Sequence, residues 1–168
     1  MTKKVYLQPY HCLGCEECVE ACAKEHGWDS HSHVLWVDMV YPISMRCFHC
    51  EDPPCIKVCP VDAIKVSKDY GIQVDGSVCI GCGSCVLACP FGVPVVNSSS
   101  GKMVKCDLCI DRQNEGKQPA CVENCPYGAL ILTDFVNVRD EKRGVTAKRL
   151  IETGTYLRAA IDSIKEGY

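Results

Sequence analysis

Cys79-Ile-Gly-Cys82-Gly-Ser-Cys85-Val-Leu-Ala-Cys89-Pro90 is the stretch on which the fold turns. Its spacing is C-x2-C-x2-C-x3-C-P. Three thiols this close ride on one loop and are placed to curl around a single inorganic centre. Gly81 and Gly83 let the backbone come near enough for its N–H groups to reach the sulfurs. The fourth thiol, Cys89, sits at the following short helix and points away from that loop, towards a second centre. Pro90 then ends the helix and sets the turn.

Working outward, the same arrangement recurs. The sixteen cysteines fall into four groups of four: Cys12, Cys15, Cys18, Cys22; Cys47, Cys50, Cys55, Cys59; Cys79, Cys82, Cys85, Cys89; and Cys106, Cys109, Cys121, Cys125. The first group keeps the x2, x2, x3 spacing but has Ala23 where proline is expected, a departure expected to loosen the turn after Cys22. The second widens to x2, x4, x3 through Glu51-Asp52-Pro53-Pro54, and the fourth to x2, x11, x3. Longer loops are tolerated because closure costs grow only logarithmically with length. After Cys59, Cys89 and Cys125 comes proline, a turn and a short run rich in β-branched or aliphatic residues, read as a strand. Gly83–Cys89 and Ala120–Cys125 are read as two-turn helices, and Asn97–Gly101 as a surface turn. The expected fold class is α+β, built from duplicated units of loop, short helix, cysteine-proline turn and strand.

Three chemistries use this many cysteines. A disulfide scaffold needs an oxidising compartment, and the N-terminal stretch before Cys12 reads as no export signal. Structural zinc prefers two C-x2-4-C knuckles separated by a longer stretch. Groups two and four alone fit that pattern, but three cysteines in seven residues, as in groups one and three, overcrowd a tetrahedral zinc. Iron–sulfur clusters fit all four groups, and group three matches the bacterial ferredoxin run without deviation. Composition agrees. Hydrophobic residues make up 47% of the chain, but only about 38% once cysteine is set aside, a thin supply for a core of 168 residues. Something besides apolar packing must hold the fold.

The sequence resembles the four-cluster polyferredoxin subunits that accompany molybdenum or tungsten pterin enzymes, carbon monoxide dehydrogenases and some hydrogenases. The resemblance runs from Val5 to Thr133 and rests on four cysteine groups in order, the widened second and fourth groups, and Pro-Ala-Cys-x3-Cys-Pro at Pro119–Pro126. It implies four [4Fe–4S] clusters with crosswise ligation. One would use Cys12, Cys15, Cys18 and Cys125; another Cys106, Cys109, Cys121 and Cys22. The inner pair would use Cys47, Cys50, Cys55 with Cys89, and Cys79, Cys82, Cys85 with Cys59. The sequential alternative, group one with two and three with four, stays open. Some relatives replace one ligand and hold a three-iron cluster; here every ligand position is cysteine. Many membrane-bound relatives carry a C-terminal transmembrane helix, absent from this sequence, so the soluble cytoplasmic branch is implied.

Residues 1–133 are thus expected to form the four-cluster ferredoxin-like domain, two interleaved two-cluster modules. Residues 134–168 are expected to be a tail whose helix, from about Val145 to Lys165, puts Leu150, Leu157, Ile161 and Ile164 on one stripe. That stripe would pack on the chain's own domain or dock a partner. Arg139, Lys142, Arg143, Lys148 and Arg149 make a basic patch on an acidic protein, suited to an acidic surface or merely solvated. Net charge is −3; four oxidised clusters, each about −2 with its thiolates, would bring it to about −11. That argues against nucleic acid or an anionic membrane as partner, and no stretch approaches the ~20 apolar residues of a membrane span.

Nothing in the chain resembles a Ser/His/Asp constellation or a phosphate-binding glycine loop, so no catalytic residue is assigned. The expected function is a non-catalytic electron-transfer subunit. It passes electrons between a larger catalytic redox subunit (aldehyde, formate, carbon monoxide or hydrogen chemistry) and a further electron carrier. The alternatives are a free polyferredoxin shuttle, or a self-associating subunit that stacks into a longer conduit. His11 and His49 are placed to donate to cluster sulfur; His26, His31 and His33 are expected in a solvated spacer loop. Phe48, Phe91 and Tyr127 are expected to shield clusters from water.

Overall fold

A computed structural model of the chain describes residues 3–27 and 30–154. By backbone contacts it divides into two units, Met1–Thr133 and Asp134–Tyr168. In the first, four two-stranded antiparallel ribbons carry short helices between them. In chain order the elements are β1 (Lys4–Leu7), a 3-10 turn (Pro9–His11), α1 (Glu17–Glu25), β2 (Ser32–Val37), β3 (Tyr41–Arg46), α2 (Pro54–Lys57), β4 (Ile64–Ser67) and β5 (Gly71–Val74). There follow α3 (Ser84–Ala88), β6 (Val95–Val96), β7 (Met103–Val104), α4 (Ile110–Asn114), α5 (Ala120–Glu123) and β8 (Leu130–Thr133). This is the α+β architecture of small ferredoxin-like units, with a C-terminal helix beyond it.

Two ribbons organise the surroundings of the cysteines. β4 and β5 form a local hairpin, Ile64 opposite Val74 and Ser67 opposite Gly71. β1 and β8 pair the two ends of the unit, Lys4 opposite Thr133 and Leu7 opposite Leu130. Each ribbon backs a helix pair, α2 with α3 inside and α1 with α5 outside. The core is small and rich in cysteine. One cluster buries Ala63, Ile64, Ile72 and Met103 with Cys55, Cys79 and Cys85. The other buries Leu130 with Cys18 and Cys121.

Several local expectations shift. α3 and α5 are single turns of five and four residues rather than two turns, because the proline after each last cysteine stops the chain early. Ala23 lengthens α1 rather than loosening the turn after Cys22. With a backbone N–H at every position, the helix runs on past Cys22 to Glu25. The Asn97–Gly101 turn is present and links β6 to β7; the Asn97 side chain accepts from the Ser99 and Ser100 amides.

In the second unit α6 spans Phe135–Glu152, starting ten residues before the expected Val145. Its N-cap is Asp134, whose carboxylate accepts from the Asn137 amide at 2.8 Å. Leu157, Ile161 and Ile164 lie outside the described residues. The basic patch is partly neutralised within the helix: Arg139 pairs with Asp140 at 2.9 Å, and Lys148 with Glu152 at 3.8 Å.

Candidate iron–sulfur centres

The sixteen cysteines are all free thiols, and the fold gathers them crosswise. One cavity is lined by Cys12, Cys15, Cys18 and Cys125. A second is lined by Cys47, Cys50, Cys55 and Cys89. A third is lined by Cys59, Cys79, Cys82 and Cys85. The remaining four stand together where α1 meets α5. Cys22 and Cys121 both act electrostatically on Cys109, and Cys121 acts on Cys106. Local loop geometry supplies three thiols to each set, and the fourth comes from another group.

Backbone amides aim at these sulfurs. Gly81 N–H donates to Cys79 Sγ at 3.4 Å and Met103 N–H to the same sulfur at 3.4 Å. Ala63 N–H donates to Cys59 at 3.3 Å, Ala129 N–H to Cys125 at 3.2 Å and His31 N–H to Cys22 at 3.3 Å. Gly81 can do this only without a side chain: its φ is +69°, and a Cβ there would strike the Gly101 carbonyl. Ser44 Oγ lies 3.4 Å from Cys18 Sγ.

Three of the most buried thiols do not ionise easily on their own. Burial pushes Cys109 up to about 12 and Cys121 to about 11, and raises Cys106 as well. Exposed Cys82 moves the other way, because the Ser84 hydroxyl stabilises its thiolate. A metal that coordinates sulfur removes the proton outright. Thiolate sets of this kind, ringed by amide donors and walled by Val, Ile, Ala and Met, fit [4Fe–4S] clusters, with burial and sulfur hydrogen bonds left to tune them.

The aromatic residues stand at the cavity walls. Phe48 and Phe91 lie 4.4 Å apart between ring centroids and both line the Cys47 cavity; Tyr127 lines the Cys12 cavity. His49 is 2% exposed and its Nδ1 accepts from Ile72 N–H at 3.0 Å. Burial lowers its pKa to about 3, with the Lys105 and Lys4 charges adding to the effect. His11 is exposed. His33 is exposed as expected but sits on strand β2 opposite Met45 rather than in a loop, and His26 and His31 are partly buried. Those two rings stack at 4.3 Å, and His26 Nε2 lies 3.7 Å from Cys109 Sγ and 3.6 Å from Asp107. A helix that continues past Cys22 carries His26 inward, which the cysteine spacing does not reveal.

Two buried cations are likewise not evident from the cysteine pattern. Arg46 is 5% and Lys105 4% exposed. Lys105 Nζ donates to the carbonyls of Ile72 and, at 2.9 Å, of Cys106. An Arg46 guanidinium N–H donates to Ser44 Oγ. The sequence does hold a signal for them: each immediately precedes the first cysteine of a group, Cys47 and Cys106.

These sites define an iron–sulfur protein of the electron-transfer kind. Residues 37–135 match the 4Fe-4S dicluster domain family and residues 9–25 a 4Fe-4S binding domain. The chain belongs to the 4Fe-4S dicluster domain family. It is 39% identical over 161 residues to the probable anaerobic dimethyl sulfoxide reductase subunit YnfG of Escherichia coli, covering 84% of this protein and 78% of that one. It is 41% identical over 145 residues to the B subunit of the anaerobic dimethyl sulfoxide reductase of the same species, covering 74% and 70%. It is 40% identical over 153 residues to the putative electron transport protein YsaA, also of Escherichia coli, covering 83% and 94%. No helix among the described residues is long and apolar enough to cross a membrane.

Proposed function

We propose that the chain holds four [4Fe–4S] clusters and serves, without catalysing a reaction itself, as the electron-transfer subunit of a molybdenum or tungsten pterin reductase of the sulfoxide-reducing type. The ligand sets are Cys12, Cys15, Cys18, Cys125; Cys22, Cys106, Cys109, Cys121; Cys47, Cys50, Cys55, Cys89; and Cys59, Cys79, Cys82, Cys85. The observation that carries this reading is the sorting of all sixteen thiols into four tetrads, three of them around separate cavities. Bound clusters supply reversible one-electron storage; the chain orients the thiolates, donates amide hydrogen bonds to sulfur and keeps water away with Phe48, Phe91 and Tyr127.

Relatives named as reductase subunits favour sulfoxide chemistry in the partner over aldehyde, formate, carbon monoxide or hydrogen chemistry. A further electron carrier would feed the other end. Sixteen free thiols suit a reducing compartment such as the cytoplasm. The second reading, a free shuttle, is favoured by the resemblance to a protein named for electron transport alone.

Anaerobic purification from the native host with metal analysis tests both. About sixteen irons per chain and a co-purifying molybdenum or tungsten protein that reduces dimethyl sulfoxide support the leading reading. A lone chain with the same iron means the shuttle. Zinc in place of iron would falsify the cluster assignment.

A further inference from the structure

Lys105 is the least expected side chain in the molecule. Its ammonium is nearly sealed from water, and among the described residues no carboxylate pairs with it. Two carbonyls accept hydrogen bonds from it but supply no countercharge. Burying an uncompensated cation is strongly unfavourable, so an anion must stand nearby. Lys105 lines the cavity of Cys47, Cys50, Cys55 and Cys89.

A second donor lies in the same neighbourhood. Ile72 N–H occupies His49 Nδ1, which forces the ring proton onto Nε2. That Nε2 is buried and has no protein partner. Ile72 therefore ties both groups together: its N–H fixes the imidazole and its carbonyl holds the ammonium. The neighbouring Cys79 cavity has no charged lining residue among those described. Lys102, which donates to the Cys79 carbonyl, is only half-buried and so screened by water.

We infer that Lys105 is the buried countercharge of the cluster held by Cys47, Cys50, Cys55 and Cys89, and makes it the more oxidising member of the inner pair. This rests on the four-cluster reading above. A fixed positive charge favours the reduced, more negative cluster, and the low-dielectric wall lets that charge act at nearly full strength. Electrons entering the inner pair therefore settle on the Cys47 cluster. The cluster of Cys106 feels the same charge from its own side and shifts in the same direction, by less.

The test is an anaerobic potentiometric titration of the full chain, followed by electron paramagnetic resonance. Cys50→Ser identifies the Cys47 signal through its altered ligand field. Iron is counted first: fewer than four clusters in the wild type overturns the proposed function itself. With all four loaded, the Cys47 cluster should titrate at a more positive potential than the Cys79 cluster, and the reverse order overturns the inference alone. Lys105→Met should lower the Cys47 potential by at least a tenfold change in the reduced-to-oxidised ratio, 59 mV for one electron, while the Cys12 and Cys79 clusters stay put. Loss of the Cys47 cluster alone in Lys105→Met, with full loading in Lys105→Arg, equally supports a countercharge. Full loading with unchanged potentials, or failure of both variants to load, overturns it.

Discussion

The two halves of the cluster-bearing unit are built from the same parts but closed in different ways. The inner half closes locally, since β4 and β5 are a hairpin joined by a three-residue turn at Lys68–Tyr70. Seven buried residues then pack behind α2 and α3. The outer half closes by joining the ends of the unit, β1 to β8, over a core of only three buried residues. Loop closure must be met before such distant contacts return anything. With the ligand sets proposed above, the outer half would lean harder on thiolate–iron bonds from Cys12, Cys15, Cys18 and Cys125, which come from the same two ends. Repeats that are alike in sequence differ in how much of their stability is ordinary packing.

The largest effect expected is that of iron removal. Chelation under reducing, anaerobic conditions should abolish the cooperative fold of residues 3–133. Hydrogen exchange during the loss should show β1 and β8 amides unprotected before those of β4 and β5. Simultaneous exchange of both ribbons would erase the distinction between the halves.

Acid sharpens the same contrast. Burial raises the pKa of Cys106, Cys109 and Cys121, so a proton binds these sulfurs more tightly than an exposed one and competes with iron from a higher pH. As pH falls, the Cys106 set should release iron about one pH unit before the set containing Cys82, whose pKa is lowered. Cluster signals followed against pH decide it; loss from the Cys79 set first would contradict the argument.

Core truncations come next. Ile72→Ala removes a side chain 2% exposed from the larger core and should cost about 4 kcal/mol; Leu130→Ala, 3% exposed in the smaller one, about 2 kcal/mol. Denaturant melts of the loaded protein measure both, and equal losses would mean the outer core is as well packed as the inner. The smallest effect is Asp134→Ala, which removes the α6 cap. It should cost that helix about 1 kcal/mol. Thermal loss of the helical circular-dichroism signal measures it, and an unchanged melt would mean that the Asp134 cap contributes nothing to α6.

Much of the site is legible in the residues alone. The sixteen thiols, their grouping and the iron they suit follow from spacing, because three ligands on one loop is a matter of a few covalent bonds and a glycine that tolerates φ +69° at Gly81. The strands after Cys59 and Cys125 are readable for the same local reason. Shorter helices at α3 and α5, and the longer α1, turn on the proline that follows a cysteine or fails to. The position of His26 is not legible, since one extra helical turn past Cys22 decides whether it faces water or Cys109.

The sequence by itself determined the class of chemistry: sixteen thiols in four local groups whose spacing suits iron–sulfur clusters. Only the tertiary structure decided which loop completes each set, since Cys125 reaches Cys12 by pairing segments at opposite ends of the unit. It also decided that Lys105 and Arg46 lose their water. Ligand spacing is short-range geometry written into neighbouring residues. Burial of a charge and the meeting of chain ends are properties of the whole packed unit, and no window of sequence contains them.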